Sequence, residues 1–453
     1  MFMTLNQNAC SDIILTMELE QKFNLLGAGA GDDIACNTCA ANPSARFVTH
    51  RATQPLDPQL SALAFDGRID VLRPLNEFMK VDVSALHHEA EEKAAKDLRP
   101  WLSSAIRPDG KKISVVKTLM TSACEKDCYY CPTRRGRNRL RRATFKPEEL
   151  ADGFMAIHKK GMADGLFLSS GVIGGGTRTM EKTIAPVEIL RNKHEFAGYI
   201  HLKLMPGAER AAIERALELA DRVSVNLEAP NSERLAKLSG TKQFIEELLA
   251  PLRIARALMR ANPKFARKSM VTQFVVGGAD ESDREILSTT AKLYHQLELA
   301  RVYYSAFHPV IDTPLENHAP TPLIREHRLY QTDFLLRQYG FTFADLIFDD
   351  AGNLPTQIDP KMMYALKHRE QFPLEVNRAS REELLRVPGL GPKSVNRILQ
   401  TRRTYTFRGL RDLAQLGADA QRAAPFILLH GVSAAPESND AHLFQLPLPF
   451  MKD

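Results

Sequence analysis

Apolar positions along the chain repeat with two spacings, and from residue 113 onward the two alternate. Short β-branched or apolar runs at 113–120, 165–171, 199–207, 222–230, 270–278 and 301–307 read as strands. Helix spacing occupies 147–161, 180–195, 208–219, 232 to about 260, and 281–297. The first of these opens on Pro147, Glu148 and Glu149, as a helix N-terminus should. Alternation of apolar strands with helices predicts a parallel sheet with crossover helices. Six such units fill much of a barrel without completing the eightfold one. The expected fold class is therefore α/β, a partial (β/α)6 TIM-like barrel.

The flanks read differently. Before the barrel, the chain suggests a short helix from Gln21 into the Gly-rich 27–33. A polar stretch follows at 42–60, then a solvated helix at 84–99 supported by i,i+4 charge pairs. After Pro309 the pattern becomes helical at 321–340 and from 358, then basic and helical over 377–416. This divides the chain into an N-terminal extension (1–110), the barrel (111–312), a helical extension (313–372), a small all-α domain (373–432) and a proline-containing tail (433–453).

With 44% apolar and 25% charged residues among 453, the chain is neither disordered nor a small disulfide scaffold. No run of about 18 uncharged apolar residues exists, so no membrane span is expected. The first residues lack a basic segment followed by an apolar core, so no signal peptide is expected either. The expected compartment is the cytoplasm, where the six cysteines read as metal ligands or reactive thiols. Charge is uneven. Residues 134–142 hold six Arg and no acid, and 378–411 hold nine Lys or Arg against Glu382 and Glu383. Concentrated positive charge suits contact with a polyanion at defined places; a solvated basic face is the plainer alternative.

Cys124, Cys128 and Cys131 stand just past the first strand of the series, within eight residues. Soft thiolates select zinc or iron–sulfur. A structural zinc wants a fourth ligand, and no second Cys pair or His pair follows at finger spacing. Three thiolates around a four-iron cluster leave one iron open to a small molecule. The C-x-x-x-C-x-x-C spacing, with Tyr130 before the third Cys, resembles the radical S-adenosylmethionine (radical SAM) superfamily. The resemblance spans about 113–310 and implies a [4Fe–4S] cluster whose open iron chelates S-adenosylmethionine. It also implies reductive cleavage to a 5′-deoxyadenosyl radical, which abstracts hydrogen from an unactivated carbon. An external electron donor is required.

The resemblance also suggests cofactor contacts. Ser169, Ser170 and Gly171 end the second strand, where the superfamily offers backbone groups to the methionine amine. The usual Gly-Gly-Glu is absent, and the G-G-G-T at 174–177 has no acid. Asn226 and Glu228 alternate near a strand end and suit ribose hydroxyls or the amine, or are plain surface polar groups. Gly277 and Gly278 match the fifth-strand glycine motif, where backbone approaches adenine, or make an ordinary strand-to-helix turn. Tyr303, Tyr304 and His308 lie near the last strand's exit as substrate contacts or packing residues.

The basic C-terminal stretch has its own pattern. Leu384 and Leu385 end one amphipathic helix, and V-P-G-L-G-P makes a tight hairpin in which Gly389 and Gly391 take conformations denied to other residues. Pro392 suits the next helix's first turn, hairpin amides there can hold a phosphate, and Lys393 adds charge. Val395, Ile398 and Leu399 would pack the pair. This resembles the helix-hairpin-helix motif, which holds DNA backbone without reading sequence; a helical protein-interaction module is the alternative.

The combination of barrel, N-L-P-T-Q-I-D-P-K (353–361) and hairpin resembles the DNA modification/repair radical SAM proteins, a family associated with a uracil-DNA-glycosylase-like partner. It implies a DNA base flipped into the barrel, with Arg134, Arg135, Arg137 and Arg139 escorting the strand. An RNA-modifying radical enzyme and a non-catalytic DNA-binding adaptor are the competing readings. Two smaller signals complete the picture. Cys36 and Cys39, with Cys10 upstream, suit a second metal site, a hydrogen-atom donor or free thiols. In F-Q-L-P-L-P-F, Gln445, Leu446, Leu448 and Phe450 resemble the anchors of a sliding-clamp-binding peptide, or belong to a tail folded onto its own domain.

Overall fold

The computed structural model describes residues 19, 21–27, 101–107, 110–137 and 141–434. The readings at 42–60 and 84–99, at Cys10, Cys36, Cys39 and Arg139, and at Gln445, Leu446, Leu448 and Phe450 lie outside the described residues. The chain forms two compact units. One contains the described residues up to 281 together with 292–322; the other contains 282–291 and 323–434.

The first unit is built on a curled seven-stranded sheet in simple order, β1-β2-β3-β4-β5-β6-β7. Strands β2 (Lys112–Leu119), β3 (Gly165–Ser169), β4 (Tyr199–Lys203), β5 (Arg222–Ser224), β6 (Ser269–Val276) and β7 (Arg301–Ala306) are parallel, as the alternation requires. The half-barrel agrees with the expected class. The sheet starts earlier than residue 111, because β1 (Leu102–Ile106) pairs antiparallel with β2. Its sequence, L-S-S-A-I, is too short and polar to stand out from its surroundings.

Parallel register fixes two faces. Thr118, Leu168, Leu202, Val223 and Met270 share one, an apolar surface of the kind crossover helices cover. Lys117, Phe167, His201, Arg222 and Ser269 share the other, which is unusually polar for a buried layer. Partners explain how it is tolerated. Arg222 Nε donates to Ser269 Oγ at 2.9 Å, and His201 Nε2 lies 2.9 Å from Ser224 Oγ. The Lys117 ammonium sits 5.6 Å from the Phe167 ring centre. Burial pushes His201 well below the ordinary histidine range, and Arg222, Lys203 and Lys117 push the same way, so the imidazole is neutral.

A helical stretch at 21–27, where a short helix is expected, precedes the sheet, and after β2 come α1 (Pro147–Lys159), α2 (Gly175–Glu188) and α3 (Arg210–Leu219). The chain past α2 continues as a π-helical turn at Ile189–Lys193 rather than α-helix to 195. The long helix expected over 232–260 is broken. It resolves into α4 (Ser232–Ala236), a loop at 237–243, a π-helical turn at Phe244–Leu249 and α5 (Ala250–Ala261). Ser239 and Gly240 make the break; glycine and serine are poor mid-helix residues. Likewise the strand expected over 222–230 ends at Ser224. Glu228 adopts φ 64°, beyond regular extension, and only a single bridge to Phe274 follows. Both departures shape the site described below. Helix α6 (Asp283–Leu297) precedes β7.

The second unit contains α7 (Leu323–Gln338), α8 (Pro360–Lys367), α9 (Arg381–Arg386), α10 (Pro392–Thr401), α11 (Leu410–Gln415) and α12 (Ala420–Ala423). Leu384, Leu385, Val395 and Ile398 join one apolar core with Leu335, Tyr364 and Phe426, and Leu399 packs against it. The C-terminal region is helical, as expected, but not all-α. Leu374–Glu375 (β8), Ile427–Leu429 (β9) and Val432–Ser433 (β10) form a small sheet, order β10-β9-β8. Strands of two or three residues carry no readable period, so nothing in the residue pattern announces them.

Candidate metal centre

Past β2 the chain leaves the sheet and runs irregularly through the three cysteines. Cys128 is buried, Cys124 and Cys131 are half-buried, and all three are free thiols. A loop this irregular must find its hydrogen bonds elsewhere, and three sets supply them.

The first comes from the chain past β3. Gly171 N donates to Thr121 O, Glu125 N to Val172 O (both 2.8 Å), and Val172 N to Cys124 Sγ at 3.4 Å. A Cβ on Gly171 would lie 2.2 Å from Ala123 O, so only glycine permits this approach. The G-G-G-T run lacks an acid of its own, yet an acid reaches it. Glu125, beside the first cysteine, accepts from Gly174 N and Gly175 N at 2.8 and 3.0 Å. Ser170 Oγ bonds Gly171 O at 2.7 Å, and Ser169 is buried with its carbonyl accepting from Met120 N.

The second set comes from the break after α4. Asp127 Oδ1 accepts from Ser239 Oγ (2.6 Å), Thr241 Oγ1 (2.7 Å) and Thr241 N (3.2 Å), and Oδ2 accepts from Gly240 N (3.2 Å). Burial alone would raise this carboxyl; the bonds from Ser239, Thr241 and Gly240 outweigh it and hold the group below the usual aspartate range. Tyr129 N donates to Leu238 O at 2.7 Å, and Lys126 pairs with Glu247 at 2.7 Å.

The third set comes from the arginine run. Arg142 donates to three carbonyls, Ser122 O (2.5 Å), Thr133 O (2.9 Å) and Arg134 O (2.8 Å), drawing the two ends of the loop together. Arg134 Nε reaches Asp127 O at 3.3 Å, and Arg137 donates to Pro132 O and lies 3.8 Å from Asp312. Part of the basic run is thus spent inside the fold. Arg135 and Arg141 are exposed.

The broken helix and the shortened strand meet at the cysteines. Lys242, from the break, lies 3.0 Å from Glu228 Oε1, with both side chains under one-tenth exposed. The charges of Lys242 and Glu228 both act on the buried Cys128 thiol, and Glu228 acts on the half-buried Tyr130 hydroxyl. Burial pushes the Cys128 thiol up against the pull of Lys242, and pushes Cys131 up to about 12. Burial works against the Lys242 ammonium, but Cys128 and Glu228 outweigh it and hold its pKa above the usual lysine range. Asn226, expected beside Glu228, is buried, and its Oδ1 has no protein partner. Sequence reasoning found Tyr130, Asn226 and Glu228 but not Asp127 or Lys242. The signal for those two was the S-G interruption of a helical run.

The donor set fits an iron–sulfur cluster. Three soft thiols on one loop form no disulfide, and the burial of Cys128 and Cys131 disfavours thiolate there unless positive charge is bound among them. Among the described residues, no three or more His, Cys, Asp or Glu form a group that could hold a metal ion. A four-iron cube asks each thiolate to reach a different iron, a wider spread than a single ion needs. The orphaned Asn226 Oδ1 is a further group left for a bound molecule.

The remaining expected residues divide. Gly277 (φ 86°) takes its glycine conformation, but Glu281 accepts from its N–H, and its carbonyl lies 3.0 Å from His318 Nε2. Gly278 packs beneath Leu238 and Phe307, each 3.1 Å from where a Cβ would sit. Tyr303 is buried on the polar face with Gln273; Tyr304 is buried on the opposite face, and His308 is exposed.

In the second unit, Ser380 caps α9, and the chain turns through 387–391 into α10 with Pro392 at its first position. Gly389 has φ 83°, and a Cβ there would meet Asp419 O at 2.3 Å. Gly391 N is taken by Ser394 Oγ at 2.9 Å, while Lys393 is exposed. Behind the hairpin, the buried Lys361 ammonium donates to Leu390 O at 2.5 Å. Seven of the nine basic residues in 378–411 are exposed; Arg386 and Arg402 are partly covered, bonding Asp345 and the carbonyls of Val376 and Ala379.

Residues 118–293 match the Radical SAM superfamily, and 374–401 match the helix-hairpin-helix motif. No curated protein matches the chain. Among solved structures, methylornithine synthase (PylB) is 16% identical, with TM-score 0.39 over 48% of this chain and 60% of that one. The hydrogenase maturase HydG from Carboxydothermus hydrogenoformans is 15% identical, with TM-score 0.38 over 48% of this chain and 50% of that one. The chain thus spans between half and three-fifths of the length of these structures. Radical SAM enzymes use a [4Fe–4S] cluster and S-adenosylmethionine, and Cys124, Cys128 and Cys131 have the ligand spacing. Among the described residues, no helix is long and apolar enough to cross a membrane.

Proposed function

From a radical SAM domain and a helix-hairpin-helix motif in one chain, we propose a cytoplasmic radical SAM enzyme that acts on DNA, in repair or base modification. The observation that carries the DNA reading is the hairpin with its seven exposed basic side chains. Exposed Lys and Arg around hairpin amides suit sequence-independent contact with phosphates.

When bound, the cluster and S-adenosylmethionine supply hydrogen-atom abstraction from an unactivated carbon. The chain's residues do the rest. Cys124, Cys128 and Cys131 hold the cluster, and Asp127, Glu125 and Arg142 keep the cysteine loop in shape. Tyr130, Asn226 and Glu228, with backbone groups of Ser169, Ser170, Gly171, Gly277 and Gly278, are the candidates to orient S-adenosylmethionine. Gly389, Gly391 and Lys393 hold DNA backbone, and the exposed Arg135 steers the strand. An external electron donor completes the system. The family resemblance adds a uracil-DNA-glycosylase-like partner, and the motif at 444–450 adds the sliding clamp.

The test is anaerobic cofactor cleavage with duplex DNA, single-stranded DNA or RNA present. Release of 5′-deoxyadenosine stimulated most by DNA supports the proposal. Stimulation only by RNA transfers the substrate to RNA. A reduced, cluster-replete protein that releases none with any of them leaves an adaptor.

A further inference from the structure

The polar face of the half-barrel sheet carries positive charge without matching acids. Register sets Lys117, Phe167, His201, Arg222 and Ser269 in one row, and Lys203, Ser224, Val271 and Arg301 in the next. Four of the strand residues on this face are cations, and none is Asp or Glu. Lys117, Lys203 and Arg301 each make contacts of their own. Arg222 differs. It is 7% exposed, its Nε donates to the neutral Ser269 hydroxyl, and among the described residues it has no ion pair. A buried cation is costly unless paired, and one hydroxyl does not replace a carboxylate. On the neighbouring strand, about 4.8 Å away, His201 is fully buried, and its Nδ1 has no partner. Its Nε2 faces Ser224 Oγ, a group that can donate as well as accept. With the hydroxyl donating, the proton of the neutral ring sits on Nδ1 and is a second unused donor beside the guanidinium. Lys203 and Arg301 are half-buried, so water reaches this face.

We propose that this face is an oxyanion pocket that takes a phosphate group of the substrate, with Arg222 and His201 Nδ1 as direct donors and Lys117, Lys203 and Arg301 supplying the surrounding positive charge. The inference rests on the half-barrel being the substrate chamber, and it deepens the DNA reading by giving that substrate a nucleotide phosphate. The donor set fits phosphate better than carboxylate. A guanidinium fork and a ring N–H from neighbouring strands approach from different directions, which suits a tetrahedral anion, and four cations exceed the charge of one carboxylate. Both rows lie within the last three residues of β2, directly before the chain enters the cysteine loop. A nucleotide held by its phosphate here therefore has its sugar and base free to extend towards the strand ends.

The experiment is anaerobic calorimetric titration of the reconstituted full chain with thymidine 5′-monophosphate, thymidine and inorganic phosphate. The monophosphate should bind at least tenfold more tightly than thymidine, and inorganic phosphate should compete with it. Arg222→Met should weaken the monophosphate at least tenfold without lowering the melting temperature of the ligand-free protein, because it removes a buried charge that has no ion pair. Unchanged affinity in Arg222→Met means that the phosphate is held elsewhere, at the hairpin for instance, and overturns the proposal. Equal binding of monophosphate and thymidine overturns it too, as does binding of inorganic phosphate alone, which leaves a site for the free ion. A loss confined to S-adenosylmethionine affinity makes Arg222 a ligand of that molecule and has the same consequence. If Arg222→Met melts early, Lys203→Met, at a half-buried position, decides: monophosphate affinity should fall at least threefold, and an unchanged value overturns the proposal. Failure of the DNA reading is distinct. Monophosphate bound through Arg222, with no 5′-deoxyadenosine released on DNA, removes DNA and keeps the pocket; the converse removes the pocket and keeps DNA.

Discussion

Replacing Asp127 tests the central structural claim, that the cysteine loop owes its shape to the loop after α4. The carboxylate is 7% exposed and accepts four hydrogen bonds, two from hydroxyls at 2.6 and 2.7 Å and two from backbone amides at 3.2 Å. Bonds to a charged acceptor contribute about 1.5–3 kcal/mol each, but they share one group and do not add. Asp127→Ala leaves four donors facing a small void, for a loss of about 3–6 kcal/mol, a large part of a domain's usual stability. Asp127→Asn is milder and asymmetric. Its carbonyl can replace Oδ1, which serves three donors, but its amide then faces the Gly240 N–H. One donor is stranded, for about 1–3 kcal/mol. Iron and sulfide per chain after anaerobic reconstitution, together with thermal unfolding of the apo-protein, reads both effects. The expected order is unmodified, then Asn, then Ala. Full iron content and an unchanged melting temperature in Asp127→Ala would refute the reasoning.

Three further outcomes are expected. Gly389→Ala forces a side chain into φ 83° and against Asp419 O, so it should destabilise the second unit by at least about 1–2 kcal/mol and weaken duplex DNA binding in a fluorescence anisotropy titration. Arg142→Ala should lower the melting temperature while leaving the salt dependence of DNA affinity unchanged, because its guanidinium serves carbonyls; a slope reduced by one phosphate contact would contradict this. Burial, with Arg328 adding to it, pushes His327 down from an ordinary 6.5 to about 4. The neutral form belongs to the folded state, so its contribution is complete above pH 6.5 and is lost as pH falls towards 4, by about 3 kcal/mol in all. Denaturant titrations at a series of pH values should show this decline flattened in His327→Gln.

The parallel sheet was legible because each strand after the first is an apolar run followed by helical spacing, a pattern that reports burial on both faces. The cysteines were legible because their spacing is local. What escaped was set by pairing across long separations. β1 carries too few apolar residues to be distinguished, and the strands of the small sheet are shorter than one period. Lys242 looks like any lysine on a helix until Ser239 and Gly240 interrupt that helix and turn it inward. From sequence Asn226 and Glu228 alternate on one strand; the site depends instead on the strand's early end at Ser224, beyond which Glu228 takes φ 64°. The arginine run shows the limit of counting charge, since Arg142 carries the same charge as Arg135 and spends it on three carbonyls.

The pinning of the cysteine loop also bears on how the protein is made. Asp127 is anchored by Ser239, 112 residues further along. During synthesis the three thiols therefore emerge long before the segment that organises them. A nascent chain carries them unshaped until β5 and the turn beyond it have been completed. Iron offered before that turn exists would meet an unorganised loop, and a ribosome stalled between the two segments would present loose, oxidisable sulfurs instead of a nest for metal.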